Sequence, residues 1–250
     1  METSEQLINL AKDIFPGSNN GNPTSDLIMS KAVGSKIWDI HGNEYIDYLL
    51  GSGPMLIGHS HPKVIEAVSN QLSSGSTFFA LNELAIKLGQ EIIDAVPCAE
   101  QIRYVTSGTE ATLYAMRAAR AFTGKEKILK FEGGFHGMND YALMSMAPKR
   151  LYDFPRSEPD SPGIPQSLQS EVLIAPFNDI DVTAEIIKRH HDEIGGVIVE
   201  PFQRLIPPKP GFLEGLRTVT EEYEIPLIFD EIVAGFRFSY GGATGYYGLT

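Results

Sequence analysis

The sequence predicts an α/β fold with a mostly parallel sheet, preceded by a small antiparallel amino-terminal segment. Two observations carry this. Beyond residue 61, short apolar runs of strand length alternate with amphipathic stretches of helical spacing, the pattern of a sheet with helices packed on it. Before it, residues 27–50 form short alternating runs broken by Gly34 and by His41-Gly42-Asn43, as in small antiparallel strands. The expected division is therefore 1–60, a helix and small strands, and 61–250, a larger α/β domain.

Residues 4–15 have helical spacing that stops at Pro16-Gly17, and the polar stretch 18–26 reads as a loop. Pro62 suits the first turn of a helix that continues through Val64, Ile65, Val68 and Leu72. A second helix is expected over 82–95, stopping before Pro97. Then come a strand at 102–106, a helix at 109–122 and a strand at 127–131. Further strands are expected at 172–175, 196–200 and 227–230, with helices near 181–191 and 211–223. In parallel sheets ligands collect beyond the carboxyl ends of strands. Thr106, Phe131, Pro176, Glu200 and Asp230 all fall at or near such ends, so one cleft could gather them.

The 250 residues suffice for a large core, and 42% hydrophobic with 21% charged residues reads as globular and soluble. A net charge of -12 argues against non-specific nucleic-acid binding and anionic membrane surfaces. No apolar run approaches the roughly 20 residues of a membrane span, and the acidic start lacks a signal-peptide pattern. Cys98 stands alone, which points to a reducing cytoplasm, and it reads as a small buried apolar residue or an inert thiol.

Asp230 closes the apolar run Ile225-Pro226-Leu227-Ile228-Phe229. A carboxylate buried there needs a cationic partner, because an unpaired charge away from water is costly. Upstream, Ser107-Gly108-Thr109 follows a strand-like run and opens a helix, where free amides and hydroxyls can hold a phosphate. An ordinary N-cap is the competing reading. A pyridinium at one end and a phosphate at the other describe pyridoxal 5′-phosphate. Gly133-Gly134-Phe135-His136-Gly137 presents a ring for stacking and an imidazole, or else a turn whose Phe fills local core. Asp230 could also cap a helix or bind a metal, but His59/His61 and His190/His191 supply no metal pattern and read as turn and surface residues. Gly124-Lys125 lacks the rest of a P-loop, Gly51-Ser52-Gly53 lacks the third glycine of a dinucleotide fingerprint, and no nucleophile elbow is present.

The ordered set Trp38-Asp39-Ile40-His41-Gly42-Asn43-Glu44-Tyr45-Ile46-Asp47-Tyr48, Gly58-His59-Ser60-His61-Pro62, Ser107-Gly108-Thr109-Glu110-Ala111, Phe135-His136-Gly137, Phe177-Asn178-Asp179, Val199-Glu200-Pro201, Phe229-Asp230-Glu231 and Gly235-Phe236-Arg237 resembles the class III aminotransferases. Within them it is most similar to the glutamate-1-semialdehyde 2,1-aminomutase branch. The resemblance spans nearly the whole chain. It implies a three-layer fold-type I large domain and a homodimer with active sites at the subunit interface.

Carried over position by position, the resemblance has Ser107, Gly108 and Thr109 holding the phosphate of pyridoxal 5′-phosphate. Phe135 covers one ring face, where many relatives have tyrosine, and Val233 packs the other. Asp230 pairs with the protonated pyridine nitrogen; Asn178, His136 and Glu200 make supporting polar contacts. The catalytic Schiff-base lysine is expected beyond Thr250, since the last lysine here, Lys209, precedes Asp230. The sequence thus resembles the amino-terminal part of an enzyme, incomplete, without the carboxy-terminal small domain and inactive alone. The implied activity is transfer of an amino group between an amino donor and an oxo acceptor. The aminomutase and a non-catalytic cofactor-binding remnant are the alternatives. No arginine precedes Arg103, and Ser52 stands where the aminomutases have tryptophan, which points to an altered substrate preference.

Overall fold

The structure, a computed structural model, describes residues 3–18 and 27–249, so most of the loop expected at 18–26 lies outside the described residues, as does Thr250. The chain divides into two compact units between Leu81 and Asn82.

The first unit opens with helix α1 (Ser4–Ile14), fixed by a capping box in which the Thr3 hydroxyl accepts from the Gln6 amide while the Gln6 side chain accepts from the Thr3 amide. Strands β1 (Met29–Val33), β2 (Lys36–Asp39) and β3 (Glu44–Ile46) form the expected antiparallel sheet in sequential order. Asp39 organises its second turn. Its carboxylate accepts from Asn43, His41 and Tyr45, and these bonds, the Asn43 side chain first, hold it down to about 2. His59 is more than a turn residue: its Nε2 lies 2.7 Å from Asp47 Oδ2. Helix α2 (Pro62–Leu72) starts at the proline, as expected.

In the second unit, Asn82 caps α3 (Glu83–Ala95), accepting from the amides of Leu84 and Ala85. Residues 102–106 are not a strand, against expectation. The segment lies on α3 instead: the Tyr104 hydroxyl donates to the Ala85 carbonyl at 2.8 Å, and Ile102 and Tyr104 sit so close to Gly89 that a Cβ there would stand 3.1–3.2 Å from them.

Helix α4 (Gly108–Thr123) then leads to a four-stranded parallel sheet of β4 (Lys127–Phe131), β5 (Val172–Ala175), β6 (Ile194–Val199) and β7 (Leu227–Phe229), in the order β5-β4-β6-β7. Helices α5 (Ile180–His190) and α6 (Phe212–Glu222) pack against each other, and short α7 (Gly242–Tyr247) follows β7. Alternation along the strands gives three layers. Leu129, Phe131, Leu173, Val197 and Val199 face Ile186, Ile187, Phe212, Leu213 and Leu216 of α5 and α6. Ile128 and Ile198 face Met116 of α4 on the opposite side. Gly196 lets α4 approach, since a Cβ there would stand 2.9 Å from that of Ala119. β5 and β6 are buried throughout, as strands covered on both faces must be.

Candidate active site

The sheet order places β4, β6 and β7 side by side, so the residues after their carboxyl ends meet: His136 beyond β4, Glu200 beyond β6 and Asp230 beyond β7. Asp230 continues β7 through its amide, which donates to the Val199 carbonyl at 2.8 Å. Its Oδ2 lies 2.8 Å from His136 Nδ1, and its Oδ1 accepts from the Ile232 amide at 3.2 Å, so it also closes a turn.

Both members of the His136–Asp230 pair have almost wholly buried side chains. Burial pushes the imidazole below its ordinary value, against the pull of Asp230 and with help from the Lys130 charge. A neutral ring carries one proton, and a carboxylate facing Nδ1 requires that proton on Nδ1. Glu200 accepts the Phe135 amide at 2.9 Å; burial first, then the nearby Asp230 charge, lifts its carboxyl to about 7, against that hydrogen bond.

The loop after β4 is seated by contacts at both ends. Lys130, on the α4 side of the sheet and 1% exposed, donates Nζ to the carbonyls of Gly134, Ala142 and Met144 at 3.1, 3.1 and 2.6 Å. Burial brings its ammonium down to about 7, although the carboxylates of Asp160 and Glu200 oppose this. At the far end the Thr112 hydroxyl donates to the His136 carbonyl at 2.7 Å, and Thr109 Oγ1 accepts from the Met138 amide at 3.1 Å. Gly137 has φ +90°, and a Cβ on it would stand 2.6 Å from Thr109 Oγ1.

The start of α4 thereby adjoins the loop that carries His136, the partner of Asp230. Ser107 is a true N-cap, its hydroxyl accepting from the Glu110 amide at 3.2 Å. The Glu110 carboxylate reaches back to the Thr106 amide at 2.9 Å and to the Thr106 and Ser107 hydroxyls, which lower its pKa, the Thr106 side chain first. Gly108 lies under Ile232, two residues past Asp230: a Cβ on it would stand 2.7 Å from the Cδ1 end of that side chain. The N-cap reading is therefore realised, and the first-turn amides of Gly108 and Thr109, without carbonyls one turn back, point out of the helix beside it.

Phe135 and Val233 are half-exposed, and the Arg204 guanidinium stands 5.4 Å from the Phe135 ring centre. Asn178 is not brought to Asp230. It follows β5, three strands from β7, about 14 Å at ordinary strand spacing. Its amide instead holds the loop before α6, donating to the Pro207 carbonyl and accepting from the Lys209 amide. Cys98, expected to be buried if it served as an apolar filler, is exposed. It lines a groove of about 630 Å³ along the β7 side with Leu227, Phe229 and Phe236, and Asp230 is not part of that lining.

Sequence reasoning passed over Lys130, Gln203 and Glu231. Gln203 Nε2 donates to the Glu132 carbonyl at 2.8 Å. Glu231 accepts from the amides of Ala243 and Thr244 and caps α7. A lysine inside the otherwise apolar run Ile128-Leu129-Lys130-Phe131 was the one available signal.

These residues fit a cationic ring bearing an anionic tail. Asp230 is a buried carboxylate whose hydrogen-bond partner among the described ionisable side chains, His136, is pushed by burial toward its neutral form, so the pair suits a cationic group placed against it. The first turn of α4 packs against Ile232, two residues past Asp230, and against the loop that carries His136.

Residues 17–250 match the family model described as aminotransferase class-III. A glutamate-1-semialdehyde 2,1-aminomutase of Exiguobacterium is 42% identical over 257 residues, covering 99% of this chain and 58% of the relative. An omega-transaminase from Sphaerobacter thermophilus superposes with a TM-score of 0.94 at 35% identity, covering 100% of this chain and 59% of that one. A structure described as a transaminase with PLP bound superposes at 0.91 with 27% identity, covering 100% and 60%. The chain thus spans somewhat under 60% of the length of the Exiguobacterium relative and of the Sphaerobacter structure.

Proposed function

Because this chain belongs to the class III aminotransferases, a family that uses pyridoxal 5′-phosphate, we propose that it forms the cofactor-binding part of an enzyme moving an amino group between a small amino donor and an oxo acceptor. The buried His136–Asp230 pair beside the α4 N-terminus is the observation that supports this most strongly. When bound, the cofactor supplies an electron sink for the carbanion left as the substrate's Cα proton departs.

The chain's own residues bind and orient it. Asp230 holds the ring nitrogen protonated; His136 fixes the Asp230 carboxylate through Nδ1–H. Ser107, Gly108 and Thr109 receive the phosphate, and Phe135 and Val233 cover the two ring faces. Glu200 holds Phe135 in place through its amide, and Asn178 fixes the loop before α6. Lys130 is not the Schiff-base lysine of this reading, since its Nζ is engaged by three carbonyls. On the same reading the division is an amino-terminal segment, 1–60, and a large domain from 61 that pairs with a second copy, in the cytoplasm.

The second reading is the 2,1-aminomutase itself, favoured by the 42% identity to the Exiguobacterium protein. Calorimetric titration of the chain with pyridoxamine 5′-phosphate tests the proposal. Loss of one charge-assisted bond of about 1.5–3 kcal/mol predicts at least tenfold weaker binding for Asp230→Ala. Equal affinities, or no binding by the unaltered chain, would overturn it.

A further inference from the structure

Two buried side-chain atoms beside Asp230 have no protein partner: His136 Nε2 and Gln203 Oε1, on residues 1% and 4% exposed. They converge on one spot. A Cβ built on Gly134 would stand 3.1 Å from His136 Nε2, 3.1 Å from the Phe131 carbonyl oxygen and 3.3 Å from Gln203 Oε1. Gly134 is itself buried, and these three polar atoms crowd the side that a side chain on it would occupy.

All three are acceptors. The Gln203 amide is oriented by its Nε2, which donates to the Glu132 carbonyl, so its oxygen must face the other way. His136 Nε2 is an acceptor because the proton of the neutral ring is on Nδ1, facing Asp230 Oδ2 at 2.8 Å. A direct bond from Nε2 to Gln203 would need the proton on Nε2, leaving a ring lone pair against a carboxylate. Acceptors that cannot pair with one another are satisfied by a molecule with two donors. The nearby Lys130 charge, which acts on His136, disfavours a cation in the same place.

We propose that Gln203 is a positioning residue for Asp230: one buried water between the two orphan atoms, beside Gly134, donates to both His136 Nε2 and Gln203 Oε1 and holds the imidazole in the tautomer whose Nδ1–H serves Asp230. The Phe131 carbonyl is the alternate acceptor for the second water hydrogen. The arrangement concerns this chain's own atoms and stands apart from the assignment of any cofactor.

Nitrogen-15 spectra of the chain labelled at histidine, with His136 assigned by a His136→Gln control, read the ring directly. The expected result is a neutral His136 protonated at Nδ1, with Nε2 shifted as an acceptor of a hydrogen bond. In Gly134→Ala, whose methyl crowds both orphan atoms and leaves no room for a water between them, and in Gln203→Met, which removes the acceptor, the Nε2 signal should move toward that of an unbonded lone pair while Nδ1 stays protonated. If Gly134→Ala does not fold, Gln203→Met and a crystal structure of the unaltered chain decide. Ordered density within hydrogen-bond reach of both atoms supports the proposal. A neutral ring protonated at Nε2, an Nε2 signal unmoved by either change, or a cation or no density between the two atoms would overturn it.

Discussion

Replacing Lys130 by methionine should make stability respond to alkali differently, and the size of the effect follows from the burial of Nζ. The ammonium is brought from 10.5 down to about 7 in the fold. At about 1.36 kcal/mol per unit, that is a ceiling of roughly 5 kcal/mol by which folding disfavours the charged form. Below pH 7 both states carry the proton and the folded chain bears this cost in full. Between pH 7 and 10.5 the unfolded chain keeps a proton that the folded chain has released, so stability rises with pH. Methionine has nothing to titrate. It also leaves the carbonyls of Gly134, Ala142 and Met144 without their donor, at about 1–3 kcal/mol each, a loss that acts at every pH. Removing the ammonium lifts Glu200 further, which lowers the variant's stability just above pH 7 and so works in the same direction. Unaltered chain minus variant should therefore grow by roughly 2–3 kcal/mol from pH 7 to pH 9. Urea unfolding followed by far-ultraviolet circular dichroism measures it, since Trp38, the single tryptophan, lies in the other unit. A constant difference across that range would refute the reasoning.

Three further outcomes follow from the same geometry. Glu200, lifted from 4.5 to about 7, adds stability that is complete below pH 4.5 and is lost as pH rises toward 7. Glu200→Gln, which keeps an acceptor for Phe135, should then match the unaltered chain in acid and exceed it above pH 7 by about 1–2 kcal/mol in urea unfolding. Gly137→Ala places a methyl against Thr109 at a φ of +90° and should cost more than about 2 kcal/mol, visible as a lowered Tm; a change within half a kcal/mol would contradict the seating of the loop on α4. Ser107→Ala removes the α4 cap and should cost about 1 kcal/mol, with hydrogen exchange quickened at the first-turn amides and not at the helix centre.

The parts of the fold set by local pattern were legible. β4 and β5 lie at the expected residues because buried parallel strands are continuous apolar runs, and α2 begins at Pro62 because proline suits a first turn. Residues 102–106 have β-branched and aromatic side chains, yet a strand also needs a ladder partner, which composition does not encode; contacts with α3 hold this segment instead. Asp230 and His136 stood out by position at strand ends, but their pairing, 94 residues apart in sequence, depends on the sheet order. The same order sets Asn178 at the far strand, which its motif did not foretell. Lys130 drew no attention in the sequence because its burial comes from the loop folded over it, whose carbonyls receive its ammonium. The exposure of Cys98 had no sequence signal at all.

The central claim is electrostatic: the Asp230 carboxylate compensates a protonated ring nitrogen. It is tested most directly by the chemical shift of that nitrogen in pyridoxamine 5′-phosphate labelled with nitrogen-15 and bound to the chain. A protonated ring at neutral to mildly alkaline pH in the unaltered chain, turning unprotonated in Asp230→Ala, is the predicted result. The same protonation state in both would contradict the account.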